Sequence, residues 1–334
     1  MTLEDVFEKI DGIEANDLKL YFITRCIKPG AKKKATVSEK YLYKVYQIDC
    51  NDEVQNYLYN STLGQIGKII KKNYEMVDYD ILSDDTEHLF TYPIANKVFS
   101  FSDVVTNQLL KSTPKVTSIA EIIKSEELWA YCVELWDNQT KDKLFTFRKI
   151  LPSRVGIDEK AKSFVRAMFN PASQQLSLLK EETVNLDEQI DCLYYEETFY
   201  VIKKAYFEQI VGLQEEYKEK SKEIAENLIN SGIIYGGEKL RELIEKKPSI
   251  HKKLIRVERA GGYKGLTLQK LYKMEKVCNK YGDELPIENG KIRLESESDI
   301  DIMLKAFADY YKIGEISGKG YGTFAGRELD AKID

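Results

Sequence analysis

The chain has 334 residues, of which 43% are hydrophobic and 31% are charged, and its formal net charge is -5 at pH 7. No apolar run approaches the roughly 18 residues that a transmembrane helix requires, and the acidic, amphipathic start MTLEDVFEKI is unlike a secretory or transit peptide. The five cysteines lack CxxC spacing, which is typical of reduced, buried thiols. We therefore expect a cytoplasmic protein that associates with a membrane only through a partner.

The first part of the chain is predicted to be rich in β-strands. In chain order, the residue periodicities predict a helix over 3–10, strands over 18–26 and 41–50, a helix over 54–72, a strand over 75–82 and a helix over 101–111. Three antiparallel hairpins are then predicted from apolar runs that flank polar turns: 129–136 with 143–151, 163–169 with 175–179, and 189–195 with 198–204. The sheet of this part should therefore be mixed and mostly antiparallel.

The second part of the chain is predicted to be mainly helical. Apolar stripes with a helical period predict helices over 213–230, 238–247, 249–259, 266–280 and 298–311, with a small hairpin near 285–294. We therefore predict an α+β fold with a β-rich domain over 1–205 and a helical domain over 206–334. No linker-like segment marks the boundary, so its position near residue 205 is approximate.

Positive charge is concentrated in one segment of this acidic chain. Residues 246–280 hold eleven Lys and Arg against Glu258 and Glu275, a net +9 that leaves -14 for the rest of the chain. In helix 266–280, at 100° per residue, the four lysines lie within an arc of about 120°. Leu271, Met274 and Cys278 face the other way, and Val277 lies among the lysines. Helix 249–259 places its cations opposite its apolar residues in the same way, and Gly261–Gly262 separates the two helices.

Two such basic faces indicate an anionic partner. The ordinary alternative is a solvated surface, but solvated helix faces usually mix charges of both signs. Membrane-binding helices expose Trp or Phe beside their cations, whereas the apolar sides here are needed for a core, so we favour DNA. Tyr263 is predicted to pack at the edge of the core, with stacking on a base as its alternative. The predicted phosphate contacts are Lys252, Lys253, Arg256, Arg259, Lys264, Lys270, Lys273, Lys276 and Lys280.

Signals for an enzyme are weak. His88 and His251 lack metal-ligand spacing and GxSxG is absent, so we predict no catalytic residues, no metal and no cofactor. The glycine-rich segment SGKGYGTFAG (317–326) lacks the spacing of a phosphate-binding loop. A metal-dependent nuclease that uses Asp78, Asp80 and Glu134 is one alternative function. An adaptor that docks an acidic protein on its basic face is another.

The segment IDCLYYEETFYVIKKAYFEQIVGLQEEYKEKSKEIAENL (190–228) resembles the KwaB-containing family of the bacterial Kiwa anti-phage system. The likeness spans about 190–320, and its motif positions are Lys204, Phe207, Glu208, Lys253, Leu254 and Val257. The resemblance implies a cytoplasmic defence effector that forms a homodimer or higher oligomer and works beside a membrane-protein partner at the inner membrane. It also implies binding to phage DNA that impedes replication and transcription. These motifs are structural, so no active-site residues are carried over.

Overall fold

The computed structural model describes residues 18–31, 40–83, 87–94, 101–109, 126–136, 143–151, 167–170, 174–178, 183–186, 188–314 and 316–324. The predicted helix over 3–10 lies outside these residues. The described part confirms the α+β class, with a large mixed sheet followed by several helices. The chain divides into two compact units, 1–79 with 86–213 and 80–85 with 214–334. The domain boundary near residue 205 stays a prediction.

An eight-stranded sheet forms the first unit. Its strands are β1 (Lys19–Ile27), β2 (Tyr41–Ile48), β3 (Glu75–Asp78), β4 (His88–Pro93), β5 (Glu127–Trp136), β6 (Lys143–Lys149), β9 (Cys192–Tyr195) and β10 (Thr198–Val201). The order across the sheet is β2-β1-β5-β6-β9-β10-β4-β3. β3 and β4 are parallel, and the other neighbours are antiparallel. A separate hairpin pairs β7 (Ala167–Asn170) with β8 (Gln175–Leu178).

Helix α1 (Asp52–Lys71) covers one face of this sheet. Asn51 caps the helix by accepting a hydrogen bond from the Val54 N–H at 3.0 Å, and acids in the first turn and lysines in the last complement the helix dipole. Leu58 and Ile66 of α1 pack with apolar side chains of β1, β5 and β9 in one buried cluster. The amphipathic period of 54–72 is therefore explained by burial against the sheet.

Aromatic side chains cover the face of the sheet opposite to that cluster. Phe147 of β6 lies 5.7 Å from Phe101 and 5.8 Å from Phe199, between ring centroids, and Phe199 lies 5.5 Å from Phe207. Phe101 precedes a π-helix (Val104–Leu109), and Phe207 lies on α2 (Lys204–Ile210). Because both faces are covered, the central strands are continuous apolar runs rather than alternating ones.

The three predicted hairpins are present as β5–β6, β7–β8 and β9–β10. Two details of the sheet differ from the prediction. β4 was not predicted, although it joins β10 to the edge strand β3. β3 ends at Asp78 instead of reaching 82, and residues 80–83 belong to the second unit.

The second unit is built from five helices in its described residues: α3 (Leu213–Asn230), α4 (Glu238–Lys246), α5 (Ser249–Ala260), α6 (Leu268–Lys280) and α7 (Glu297–Phe307). α7 packs against α4, α5 and α6. Strands β11 (Ile234–Tyr235), β12 (Ile287–Glu288) and β13 (Lys291–Arg293) form a small sheet, and β14 (Tyr311–Ile313) pairs with β15 (Gly320–Gly322). The predicted hairpin near 285–294 is thus present as β12–β13.

Two residues shape the region where α5, α6 and α7 meet. α7 ends at Phe307, four residues before the predicted end, since Asp309 has φ 50° and this left-handed backbone stops the helix. Gly262 lies in the turn between α5 and α6, where a Cβ would come within 2.5 Å of the Phe307 carbonyl oxygen. A glycine is therefore required for the turn to pass this close to the end of α7.

None of the described helices combines the length and apolar character needed to cross a membrane.

Candidate nucleic-acid interface

Helix α6 presents four exposed lysines to solvent. Thr267 caps the helix by accepting a hydrogen bond from the Lys270 N–H, and Leu271 and Cys278 bury the opposite side of the helix. The lysine face consists of Lys270, Lys273, Lys276 and Lys280. Within the ranges that the structure describes, none of these four ammonium groups has a carboxylate within ion-pair distance. The 120° arc predicted from the sequence is therefore an exposed, unneutralised cationic surface.

Helix α5 differs, because other parts of the second unit neutralise its cations. Lys253 forms an ion pair with Asp301 of α7. Arg259 donates two hydrogen bonds to the Asp80 carboxylate, at 2.9 and 3.0 Å. Lys264, in the turn after α5, pairs with Glu258.

Arg256 also binds within its own unit. Its Nη2 donates to the Leu82 carbonyl oxygen at 3.0 Å, and its guanidinium lies 5.1 Å from the centre of the Phe324 ring. Lys252, the remaining predicted contact on α5, is half-buried. The cations that the sequence predicted on α5 are thus largely engaged inside the unit, whereas those on α6 are not.

The carboxylates that meet α5 have shifted pKa values. Burial opposes ionisation of Asp301, but hydrogen bonds from Lys253 and Lys305 outweigh it and lower its pKa. Hydrogen bonds from Lys264 and Tyr263 lower the pKa of Glu258. The hydrogen-bonded Asp80 raises the pKa of Arg259. Each shift favours the charged form, as expected for an ion pair that stabilises the fold.

Tyr263 and His251 face the interior of the second unit. Tyr263 is 7% exposed, donates a hydrogen bond to Glu258, and packs its ring 6.2 Å from that of Phe307. Burial and Glu258 together raise the pKa of Tyr263 to about 12. His251 is equally buried, with Nε2 2.9 Å from the Ile244 carbonyl oxygen. Tyr263 therefore packs at the edge of the core, as the sequence suggested.

A pocket of about 250 Å³ lies beside the lysine face. Lys270, Lys273 and Val277 of α6 line it, and Asp309 and Tyr311 line it from the segment after α7. Val277, which lies among the lysines on the helical wheel, is thus explained as a pocket residue. Asp309 was not predicted from the sequence, in which the apolar Val277 on a basic face is the signal that points to a pocket.

Two carboxylates of the nuclease alternative, Asp78 and Glu134, lie far apart in the sheet of the first unit. Asp78 lies on β3 and Glu134 on β5, five strand spacings away or about 24 Å. Glu134 is fully buried, accepts a hydrogen bond from Tyr21 at 2.6 Å, and lies 3.2 Å from the Lys143 ammonium. Asp80 is held by its two hydrogen bonds from α5. No group of three His, Cys, Asp or Glu side chains in the described ranges is arranged to hold a metal ion.

The described residues of the glycine-rich segment 317–326 belong to the β14–β15 hairpin or follow it. A Cβ at Gly320 would lie 2.5 Å from the ring of Tyr281, and one at Gly322 would lie 2.6 Å from the ring of Tyr310. These glycines therefore allow tyrosine rings to pack against the hairpin backbone. Lys319 is exposed at the end of the turn.

In comparisons with curated proteins and with solved structures, no protein matches the chain significantly. A family model described as Kiwa protein KwaB-like matches residues 125–317. The match covers more than half of the chain and includes α5, α6 and most of the sheet's C-terminal strands. The chain therefore belongs to the KwaB-like family of the multi-component Kiwa system, and this membership implies a role in anti-phage defence.

Proposed function

We propose that this KwaB-like protein is a non-catalytic effector that binds DNA through the lysine face and thereby impedes phage replication and transcription. The observation that carries the proposal is the set of four exposed α6 lysines with no carboxylate partner in the described part of the chain. Family membership supports the defence role, and the lysine face supports the DNA-binding step.

The length of the lysine face fits a nucleic-acid backbone. Lys270 and Lys280 are ten residues apart, or about 15 Å along the helix axis at 1.5 Å per residue. Each strand of duplex DNA carries one phosphate per 3.4 Å of helix axis, so the face spans several phosphates. Lysine binds phosphate as a point charge and lacks the planar fork with which arginine reads guanine. Binding of duplex DNA, whose bases are paired and stacked, is therefore expected to tolerate almost any sequence.

The charge distribution favours DNA over an uncharged partner. Unneutralised cations repel one another, and an anion that meets them removes the repulsion. The excess acid elsewhere in the chain would steer a polyanion toward this one surface. Self-association and docking to a membrane-protein partner at the inner membrane belong to the same proposal, supported by the place of the family in a multi-component system.

The proposal is tested by neutralising the lysine face. We expect the triple variant Lys270→Gln, Lys273→Gln, Lys276→Gln to bind a 30-base-pair duplex far more weakly than the wild type, measured by fluorescence anisotropy over a salt series. Three lost phosphate contacts should reduce the slope of log K against log salt by about 2.7, since each contact contributes about 0.9.

A matched control removes the same charge elsewhere. Lys68→Gln, Lys71→Gln, Lys72→Gln changes three exposed lysines at the end of α1 and should keep the wild-type slope. Equal losses in both triple variants would contradict a specific role for the lysine face. The same duplex incubated with Mg²⁺ or Mn²⁺ should be shifted but intact, whereas metal-dependent cleavage would support the nuclease alternative.

A further inference from the structure

The pocket beside the lysine face holds charges of both signs that do not pair with each other. Lys270 and Lys273 line it from α6, and Asp309 lines it from the residues after α7. In the described ranges, Asp309 makes no ion pair with either lysine and no hydrogen bond, and its side chain is exposed. A pocket that presents an unpaired carboxylate and unpaired ammonium groups is suited to a ligand with both a hydrogen-bond donor and an anion.

The other walls of the pocket are apolar. Met274 and Val277 contribute from α6, Ala306 from α7 and Leu266 from the turn between α5 and α6. The volume of about 250 Å³ is slightly below the range of about 300–1,000 Å³ of drug-sized ligand sites. The pocket therefore has room for a ring system of the size of a nucleobase.

We propose that this pocket receives an unstacked nucleobase of a DNA strand whose adjoining phosphates lie on the lysine face. The inference rests on the proposed function and names the form of DNA that is bound best, namely DNA with unpaired bases. The charges fix the orientation, because Asp309 repels phosphate and the lysines attract it. The base thus points toward Asp309, and the backbone runs along α6.

Asp309 also gives the pocket a base preference. A carboxylate accepts hydrogen bonds but donates none, so it pairs with the exocyclic amino group of cytosine, adenine or guanine. Uracil and thymine offer a carbonyl at the equivalent position and cannot donate there. A strand of cytosines should consequently bind more tightly than a strand of uracils of the same length and charge.

The test compares single-stranded (dC)12 and (dU)12 by fluorescence anisotropy with the full-length protein. We expect (dC)12 to bind about tenfold more tightly, the size of one hydrogen bond to a charged group. Asp309→Asn should reduce this ratio at least threefold, because its amide can also donate to the uracil carbonyl. Asparagine tolerates the left-handed backbone at this position, so the fold is expected to be kept.

A second variant blocks the pocket without changing its charge. Ala306→Leu places a larger apolar side chain on the α7 wall, and it should abolish the (dC)12 preference while the salt slope stays unchanged. A duplex of the same length should bind more weakly than (dC)12. A wild-type ratio near one, or a ratio that both variants leave intact, overturns the pocket proposal.

These outcomes are separable from failure of the proposed function. If neutralising the lysine face weakens the binding of both oligonucleotides but the (dC)12 preference is absent, DNA binding by the face is supported and the base pocket is contradicted. If neutralising the lysine face leaves the binding of both oligonucleotides unchanged, the proposal that DNA binds through this face is contradicted. Competition with dCMP tests whether the bound base belongs to a strand or to a free nucleotide. Inorganic phosphate is the control competitor that carries no base. If dCMP displaces the strand at equal nucleotide concentration, the pocket binds free nucleotides, and the proposal that it receives a base of a DNA strand is contradicted.

Discussion

Helices α5 and α6 are alike in sequence but differ in what surrounds their cations. Both are amphipathic and carry four Lys or Arg side chains, and both lie within the matched family region. The cations of α5 meet Asp301, Asp80 and the Leu82 carbonyl, whereas those of α6 meet solvent. A count of positive charges therefore overstates a binding surface until the groups that each charge contacts are known.

The difference follows from what each helix packs against. Asp301 is 48 residues from Lys253, and Asp80 is 179 residues from Arg259. Both carboxylates reach α5 through tertiary packing of the second unit. The lysines of α6 lie on its exposed side, because Leu271 and Cys278 bury the opposite side of the helix. Exposed lysines stay hydrated without a partner, so nothing in folding requires their neutralisation.

The largest expected effect that separates the two helices is the salt dependence of DNA binding. If only the four α6 lysines contact phosphate, log K against log salt should have a slope of about -3.6, and affinity should fall about 150-fold between 50 and 200 mM salt. If all nine predicted cations contact phosphate, the slope should be about -8 and the loss about 10⁵-fold. We expect the smaller value, measured on a 30-base-pair duplex by fluorescence anisotropy.

Two sequences of equal length, one rich in A·T and one rich in G·C, serve as the control for this titration. Their slopes should agree, since phosphate contacts carry no base information. A slope near -8 would show that α5 releases its internal partners on binding, and would restore the two-helix surface. A slope near zero would remove DNA as the partner altogether.

A smaller effect is expected from freeing one cation of α5. Asp80→Asn leaves the Arg259 guanidinium without its carboxylate, in a position where it is already half-exposed. We expect DNA to bind about threefold more tightly at low salt, in line with an exposed ion pair worth under 1 kcal/mol. Arg259→Gln in the same background should abolish the gain. Unchanged binding in Asp80→Asn would mean that Arg259 lies away from the bound DNA.

The sequence predicted local structure better than contacts between distant residues. The periodicity of 213–230 and of 249–259 gave helices that match α3 and α5 almost residue by residue, since an apolar stripe is a property of neighbouring residues. The exposed arc of lysines on α6 was predictable for the same reason. The order of strands in the sheet was not, because strand pairing depends on residues far apart in the chain.

The candidate site was predicted only in part. Lys273 and Lys276 are as the helical wheel places them, but the ion pair of Lys253 depends on how α7 packs. Asp309 was not predicted, because the 3.6-residue pattern of the sequence continues over 298–311, whereas the helix ends at Phe307 and Asp309 has a left-handed backbone. The pocket therefore combines a helix face that the sequence predicts with a chain reversal that the sequence does not predict.

The last predicted effect is on the stability of the fold, and it also distinguishes the two helices. Because Asp301 accepts hydrogen bonds from Lys253 and Lys305, its folded-state pKa is lowered, so its contribution is present above the unfolded pKa of about 3.9. That contribution is lost as the pH falls through the lower, folded-state pKa. Asp301→Asn should therefore reduce the free energy of unfolding by about 1 kcal/mol at pH 7, measured in urea.

The same urea titrations at pH 5, 4 and 3 give the sign of the effect. The difference between wild type and Asp301→Asn should persist at pH 5 and shrink at pH 4 and pH 3, because the advantage of the ionised carboxylate is lost as the pH falls below the unfolded pKa of about 3.9 toward the lower folded-state pKa. Lys276→Gln is the matched α6 variant and should stay within about 0.5 kcal/mol of wild type at every pH, since its side chain is exposed and unpaired in the described structure. If Lys276→Gln lowers the free energy of unfolding as much as Asp301→Asn does, the cations of α6 also stabilise the fold. The lysine face would then be no more available to DNA than the cations of α5.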